Sequence, residues 1–423
     1  MQSPVAKAGR GGRALQVVSA LRNRNYRIYW LGFLSSIIGW QIQTVGIAFF
    51  VFEKTGSELS LGIVSGSQAG AGILFSVLGG VIADRVERRR LLIIAQVGAL
   101  SCTLTLATLV AVDVVQIWQI AAIAFVFGAF QAFDQPSRAA LVPQLVDRKD
   151  LTNAVALTSA VYQASAIIGP SFAGLLIAFA SVSVMFYVAA FGFVGFMVAL
   201  IFVRVSPPVP RPGPAPARRG IGTDLLAGLA YIRRRSLFTA LISLAFLNAL
   251  FGLSFIVLLP VFAKEELAVG AQGFGLLVTA IGIGALAGTL IVAALGEFSR
   301  KGLLILGGAV LFGVLLILFS LSSWLAVSLG LLVAIGLVRS LYMTSAMTLL
   351  QLRVDDAYRG RVTAVYGLQW SLMPLGGLQA GLIAEAWGAP VAVAFGGGAV
   401  VFFTLLVGLR QRELRQPLAP APD

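Results

Sequence analysis

Histidine is absent from the 423-residue chain, and cysteine occurs once, as Cys102 within an apolar run. The chain therefore has no imidazole base and no His-ligated metal site, and one thiol makes no internal disulfide. Charged residues form 11% of the chain, whereas soluble globular proteins carry about 25%. There is also no cluster of acids within the apolar runs. These absences argue against an enzyme, and the sequence predicts no metal and no cofactor.

Apolar residues make up 58% of the chain, and the mean hydropathy is +0.94. They form runs long enough for the roughly 20 residues that cross about 30 Å of hydrocarbon. We find twelve such runs, at 26–51, 60–83, 91–112, 117–133, 151–180, 184–203, 238–262, 274–295, 303–321, 324–347, 362–384 and 390–409. The predicted fold is therefore an all-α integral membrane protein with twelve transmembrane helices.

The net charge of +14 would favour nucleic-acid binding in a soluble protein. Here the charge lies in short segments between apolar runs, so we expect no nucleic-acid partner and take the charge as a signal of orientation. One side of the membrane is assigned 29 of the 31 Lys and Arg residues, a count that includes Arg27 and Arg339 in the adjoining runs, and the other side is assigned Lys54 and Lys264. The positive-inside rule then places both termini in the cytoplasm, with the chain in the cell (inner) membrane. The N-terminus lacks the apolar region of a cleavable signal, so we expect no signal peptide to be removed.

The two halves of the chain repeat each other. Leu91-Leu-Ile-Ile matches Leu303-Leu-Ile-Leu, and the glycine-rich stretch from Gly169 matches the one from Gly376. Six of the sixteen prolines lie between Ser206 and Pro216, a composition typical of a stiff linker. The predicted divisions are a basic N-terminus (1–25), a six-helix bundle (26–204), a linker (205–236), a second six-helix bundle (237–410) and a tail (411–423). Such a pseudo-symmetric duplication places the substrate path between the halves.

The linker also contains a short amphipathic pattern. Thr223 is a predicted helix cap, and the apolar face consists of Leu225, Leu226, Leu229 and Ile232. This pattern favours a helix on the inner membrane surface, and the alternative is a solvated connector.

The segment between the second and third runs reads Gly80-Val-Ile-Ala-Asp-Arg-Val-Glu-Arg-Arg-Arg90. It resembles the loop between helices two and three of the major facilitator superfamily of transporters, with matches at Gly80, Asp84, Arg85, Arg88 and Arg89. The resemblance implies a conformational gate in which Asp84 and Arg85 join the two halves. For Arg88, Arg89 and Arg90, the alternative is that they only orient the loop. Glu87 replaces a family glycine, so we expect a turn that is αR or mildly strained.

Two further stretches indicate export. Residues 134–154 resemble the bacterial exporter subfamily that includes enterobactin and macrolide efflux proteins. Gly169-Pro170-Ser-Phe-Ala-Gly174 is similar to the antiporter motif of the superfamily, with ordinary small-residue packing as the alternative. The family's arginine within the fourth helix is expected to be missing, because Arg138 lies near the cytoplasmic end of the predicted span.

The energy source is predicted to be protons, because the chain has no Gly-Lys pair and hence no phosphate-binding loop. Proton coupling needs an acid in a low-dielectric setting, and Asp134 is our candidate. The alternative for Asp134 is a helix cap or a gate salt bridge.

Two other acids next to the ends of predicted spans, Asp113 and Glu385, are placed near the outer face. Arg339 lies deep within the tenth run, and we hypothesise an ion pair between Asp134 and Arg339.

Polar residues near mid-membrane form a predicted substrate cavity, each with simple helix–helix bonding as its alternative. They are Gln41, Gln43, Gln131, Tyr162, Gln163, Asn248, Gln369 and Trp370. So few polar groups suit an amphiphilic cargo, drug-like or siderophore-like, better than a sugar. We therefore predict a monomeric secondary transporter that exports small molecules in exchange for protons by alternating access. The alternatives are a metabolite importer driven by proton symport and a non-transporting membrane receptor.

Overall fold

The computed structural model describes residues 19–147, 150–204, 221–295, 300–355 and 358–415. Within these ranges the description of residues 76–85, and of scattered residues elsewhere, covers the backbone alone. The predicted N-terminal segment, the Pro-rich part of the linker and the tail therefore lie wholly or mostly outside the described residues.

All regular structure in the described ranges is helical. A short 3-10 turn, Ser19–Arg22, precedes the first long helix. The helices are α1 (Arg24–Thr55), α2 (Glu58–Arg85), α3 (Arg88–Ala111), α4 (Ile117–Leu145), α5 (Leu151–Phe179), α6 (Val182–Phe202), α7 (Ile221–Arg233), α8 (Ser236–Glu266), α9 (Gly270–Leu295), α10 (Lys301–Ser320), α11 (Leu325–Arg353), α12 (Arg359–Gly367), α13 (Gln369–Trp387), α14 (Ala389–Arg410) and α15 (Arg412–Arg415).

Within the described ranges, nine helices are long and apolar enough to cross a membrane: α1, α3, α4, α6, α8, α9, α10, α11 and α14. The three other predicted spans coincide with α2, α5 and the consecutive pair α12 and α13. The predicted fold class, an all-α multi-pass membrane protein, is confirmed. The observed helices are consistent with the twelve predicted spans.

The helices pack as two bundles. In the N-terminal bundle (α1–α6), α1 packs on α5 and α6, and α4 packs on α2 and α3. In the C-terminal bundle (α8–α14), α11 packs on α9 and α10, and α10 packs on α14. The most extensive contacts between the bundles are those of α2 with α13 and of α5 with α9, and α8 makes smaller contacts with α1 and α2.

The two ends of the structure differ in how the bundles meet. We call the end with Arg24, Arg88, Arg353 and Arg410 the basic end, and the opposite end, with Glu58, the distal end. A single cluster of buried apolar side chains, which includes Phe52, Leu61, Phe262 and Phe274, spans both bundles toward the distal end. Toward the basic end each bundle has its own cluster, around Phe33 in one and Leu349 in the other. The described apolar packing therefore joins the bundles distally.

The predicted fourth span ended at Phe133, and this boundary is wrong. Helix α4 continues to Leu145, through Pro136 and Pro143. Charged residues appeared to mark the end of the span, but Asp134 and Arg138 are one turn apart and neutralise each other within the helix.

Two other local expectations change, and one further feature was not predicted. Glu87 has φ −57° and ψ 119°, so the turn before α3 is extended at this residue rather than αR or strained. Helix α8 contains two π-helical turns, Asn248–Gly252 and Phe262–Glu266. The predicted eleventh span is interrupted at Leu368, between α12 and α13.

The predicted amphipathic helix after the linker is α7, which begins at Ile221, two residues before the predicted cap Thr223. Ile232 packs into the apolar cluster at the basic end of the C-terminal bundle, whereas Leu229 is 40% exposed. Tyr231 stacks on Tyr358, with ring centroids 4.3 Å apart. Helix α7 is thus attached to the C-terminal bundle by one side, and the side chains of Leu225 and Leu226 lie outside the described residues.

Candidate transport site

A buried polar network crosses the N-terminal bundle. Asp134 on α4 is 6% exposed, and one of its carboxylate oxygens forms an ion pair with Arg138. The Gln96 side chain on α3 donates to the other oxygen at 2.8 Å. The Ser36 hydroxyl on α1 donates to the Gln96 carbonyl oxygen at 3.0 Å. Three helices are therefore joined through one ionisable carboxylate.

Arg138 is held between two aromatic rings. Its guanidinium lies 4.5 Å from the ring centroid of Phe33 and 4.4 Å from that of Phe196, a cation–π geometry. Arg138 is 4% exposed, and its Nη1 atom has no hydrogen-bond partner among the described residues. Arg138 is therefore a buried arginine within α4, although it lies toward the basic end of the helix, where the sequence places it. The spacing of Asp134 and Arg138, four residues apart on a helix, was the signal that could have revealed this pair.

The hypothesised ion pair between Asp134 and Arg339 is not formed in this structure. The Asp134 carboxylate is occupied by Arg138 and Gln96 on its own side. Arg339, part-buried on α11, has no acidic partner among the described residues, and Tyr342 lies one turn away on the same helix. The two residues lie on corresponding helices of the repeat, but similar depth along those helices does not bring their side chains together.

The predicted cavity residues have different environments. Gln43, 2% exposed, accepts a hydrogen bond from the Thr103 hydroxyl at 2.8 Å and so joins α1 to α3. Asn248, also 2% exposed, accepts one from the Tyr342 hydroxyl. Gln369 is 3% exposed, and its carbonyl oxygen has no partner among the described residues. Tyr162 is 38% exposed and packs edge-on against Phe33.

Gln41 and Gln131 are part-buried, and the side chains of Gln163 and Trp370 lie outside the described residues. Gln41 borders Gly169, where a Cβ would overlap the Gln41 side chain, so α5 packs closely on α1. The predicted cavity residues therefore have at least two different roles. Gln43 serves helix packing, whereas Tyr162, Gln369 and Asn248 offer polar atoms on both bundles.

Glycines allow the bundles to approach each other at the distal end. A Cβ at Gly174 on α5 would overlap the Cα of Gly275 on α9. On the other seam, a Cβ at Gly381 of α13 would lie 2.9 Å from the Cα of Gly62 on α2. The antiporter-like motif thus has two faces, since Gly169 contacts α1 and Gly174 contacts the other bundle. Pro170 is buried between them, within α5.

Glu385 joins the bundles next to the glycine seam. This α13 residue accepts hydrogen bonds from the Leu59 backbone N–H at 3.2 Å and from the Ser57 hydroxyl at 3.1 Å. It therefore caps the first turn of α2 from the opposite bundle. The sequence places Glu385 near this face, but its partner is 326 residues away and carries no local signal.

The loop motif at the basic end is only partly described. Helix α2 ends at Arg85, and the surroundings of Gly80 and the side chains of Asp84 and Arg85 lie outside the description. Arg88 donates to the Ala140 carbonyl oxygen at 3.2 Å. Arg89 donates to the carbonyl oxygens of Leu200 and Ile201 at 2.7 and 2.8 Å, which caps the C-terminus of α6. Arg88 and Arg89 therefore anchor the loop within the N-terminal bundle.

Comparison with known proteins gives a consistent assignment. A sequence model of the family described as transmembrane secretion effector matches residues 16–417. Enterobactin exporters of Shigella boydii serotype 18 and Escherichia coli O139:H28 are each 26% identical to this chain over 420 residues, covering 94% of this chain and 95% of the relative.

Solved transporter structures share the fold. A bacterial homologue of the human lysosomal transporter Spinster, inward-facing and occupied, has a TM-score of 0.70 at 14% identity and covers 98% of this chain and 100% of its own. A POT family transporter in complex with 5-aminolevulinic acid has a TM-score of 0.71 at 14% identity, covering 93% of this chain and 97% of its own.

The family model, the curated relatives and the fold agree with the motifs that the sequence carries. They describe transporters of small molecules rather than enzymes, which confirms that expectation. The chain is a multi-pass membrane protein that belongs to the major facilitator superfamily of transporters, in the family described as transmembrane secretion effectors.

Proposed function

We propose that this transporter exports amphiphilic small molecules, drug-like or siderophore-like, in exchange for protons. The observation that carries the proposal is the buried Asp134–Arg138 pair with its Gln96 and Ser36 partners. An acid in a low-dielectric interior can gain and lose a proton only if its surroundings rearrange, which links protonation to conformation. The relatives are enterobactin exporters, which supports export as the direction.

The way the bundles pack supports a mechanism of alternating access. Most of the described distal contacts are apolar side chains and close glycine pairs, joined by the hydrogen bonds of Glu385, and such contacts can separate and form again. Proton release or uptake at Asp134 would bias the equilibrium between distally closed and distally open states. Both walls of the path come from one chain, so we propose that the protein works as a monomer.

Efflux assays in a bacterial host that lacks its own efflux pumps test this function. Expression should lower the accumulation of amphiphilic dyes, or of enterobactin, the compound named for the relatives, and a protonophore should abolish the difference. Cells that express the Asp134→Ala variant at an equal level are the matched control. Efflux that continues after the proton gradient has collapsed would contradict proton coupling.

We also propose that the protein lies in the cell (inner) membrane with its basic end and both termini in the cytoplasm. The segments that the sequence assigns to the side of the basic end hold most of the Lys and Arg residues, and the positive-inside rule orients such segments inward. With Cys102 replaced by Ser, an impermeant thiol reagent added to intact cells should label a cysteine at Asp113, whose side chain is 89% exposed. It should not label a cysteine at Arg90, 77% exposed, until the cells are opened. Labelling of Arg90→Cys from outside would overturn the orientation.

A further inference from the structure

Arg339 is an uncompensated cation in the middle of a membrane-spanning helix. It lies fourteen residues before Arg353, the last residue of α11, which is about 21 Å at 1.5 Å per residue. Its side chain is part-buried and has no ion pair among the residues that the structure describes. Tyr342, one turn further along α11, is uncharged.

The other buried charges do not neutralise it. Asp134 and Arg138 form a closed pair in the opposite bundle. The described interior of the two bundles therefore contains one acid and two arginines, with one positive charge left over. An unpaired charge away from water is strongly unfavourable, so proteins keep such a residue in a membrane where it has a use and a partner.

The surroundings of Arg339 contain further hydrogen-bond donors. Tyr342 donates to the Asn248 carbonyl oxygen, which orients the Asn248 amide group. The amide nitrogen of Asn248 then donates only to the sulfur of Met343, at 3.6 Å, and thioether sulfur is a weak acceptor. A ligand oxygen would be a better partner for that N–H group.

The backbone at this position is also irregular. Asn248 begins a π-helical turn that extends to Gly252 in α8, and single π turns inside α-helices are frequent at functional sites. A Cβ at Gly252 would meet the Phe312 ring at 2.8 Å, so the turn fits closely against α10. The turn thus places Asn248 against Tyr342, which lies one helical turn from Arg339 on α11.

We propose that the transported molecule is an anion whose acidic group pairs with Arg339 and accepts from the Asn248 amide, on the C-terminal wall of the path. The proposal rests on the proposed transport function and gives it a substrate class: amphiphilic organic acids. Two charged sites then have separate functions. Asp134 in the N-terminal bundle responds to protons, and Arg339 in the C-terminal bundle recognises the cargo.

Binding of matched acid and amide probes to the purified protein tests this. The probes are 2-naphthoate and 1-pyrenebutyrate, each beside its own primary amide, with affinity measured by thermal shift and titration calorimetry. The wild type should bind each acid about tenfold more tightly than its amide, which corresponds to about 1.4 kcal/mol. In Arg339→Gln the ratio should fall to about one, and Arg339→Lys should retain part of it.

Arg410→Gln is the matched control, since it removes an exposed arginine at the end of α14 and should leave the ratio unchanged. The apo Arg339→Gln protein should also melt at a higher temperature than the wild type, because it loses an unpaired charge. Equal binding of acid and amide by the wild type, including no binding of either, would overturn the proposal, as would an acid preference that survives Arg339→Gln. Loss of protonophore-sensitive efflux beside an intact acid preference would count against proton-coupled export and not against the anion site.

Discussion

Replacing Asp134 by asparagine should abolish proton-coupled efflux and lower the free energy of unfolding by about 3–5 kcal/mol, as expected when one partner of a buried ion pair is removed. Arg138 would stay charged between the rings of Phe33 and Phe196, with no carboxylate near it. Asparagine also has no proton to exchange, so the proposed coupling step would be lost. Thermal unfolding of the purified variant and proton-driven uptake into everted vesicles measure the two effects.

The matched control is Asp113→Asn, which breaks the exposed ion pair of Asp113 with Lys54 at the distal end. Exposed pairs contribute about 0–1 kcal/mol, so that variant should keep its stability and transport. The double variant Asp134→Asn with Arg138→Gln should regain much of the lost stability, because no charge is left unpaired, but not proton-driven transport. An Asp134→Asn protein with normal stability and normal proton-driven uptake would contradict both the structural role and the coupling role of the pair.

Gly174→Ala should shift the transporter away from its distally closed state. The added Cβ would overlap the Cα of Gly275, and backbone atoms move aside only if α5 and α9 separate. Overpacking of this kind costs about 1–3 kcal/mol, and an energy of that size changes a conformational equilibrium by about 5- to 150-fold. Spin labels at Asp113 and Ser323, on the distal ends of the two bundles in a Cys102→Ser background, should report longer distances by double electron–electron resonance.

Gly70→Ala provides the comparison, because it makes the same substitution on α2 where a Cβ would meet nothing within 4 Å. That variant should give the wild-type distance distribution and normal efflux. If Gly174→Ala shows the same distances as Gly70→Ala, the α5–α9 contact does not hold the distal end closed.

The sequence predicts the helical spans well, because a run of about 20 apolar residues has few alternatives to a membrane helix. It fails at α4. The charges of Asp134 and Arg138 suggested an exposed helix end, but the two side chains form an ion pair inside the bundle. It also fails for the pairing of Asp134 with Arg339. Equal depth on repeat-related helices follows from the sequence, whereas the direction of each side chain depends on how the helices pack.

The sequence also does not show which glycines make the contacts between the bundles. Gly62 and Gly70 lie on the same helix and have the same local pattern, yet Gly62 contacts α13 and Gly70 has open space around it. Small residues on a membrane helix indicate close packing somewhere along it. Which of them carries the contact is decided by the crossing point of two helices that are distant in sequence.

The cap that Glu385 provides to α2 has a consequence for how the protein opens. A helix start leaves backbone N–H groups without partners inside the helix. Here the Glu385 carboxylate of the other bundle accepts a hydrogen bond from one of these groups, the N–H of Leu59. When the bundles part, water can take the place of that carboxylate on Leu59 and Ser57, so the separation exchanges one set of partners for another. If the bundles separate as proposed, the start of α2 therefore exchanges a carboxylate cap for a water cap each time the distal end opens.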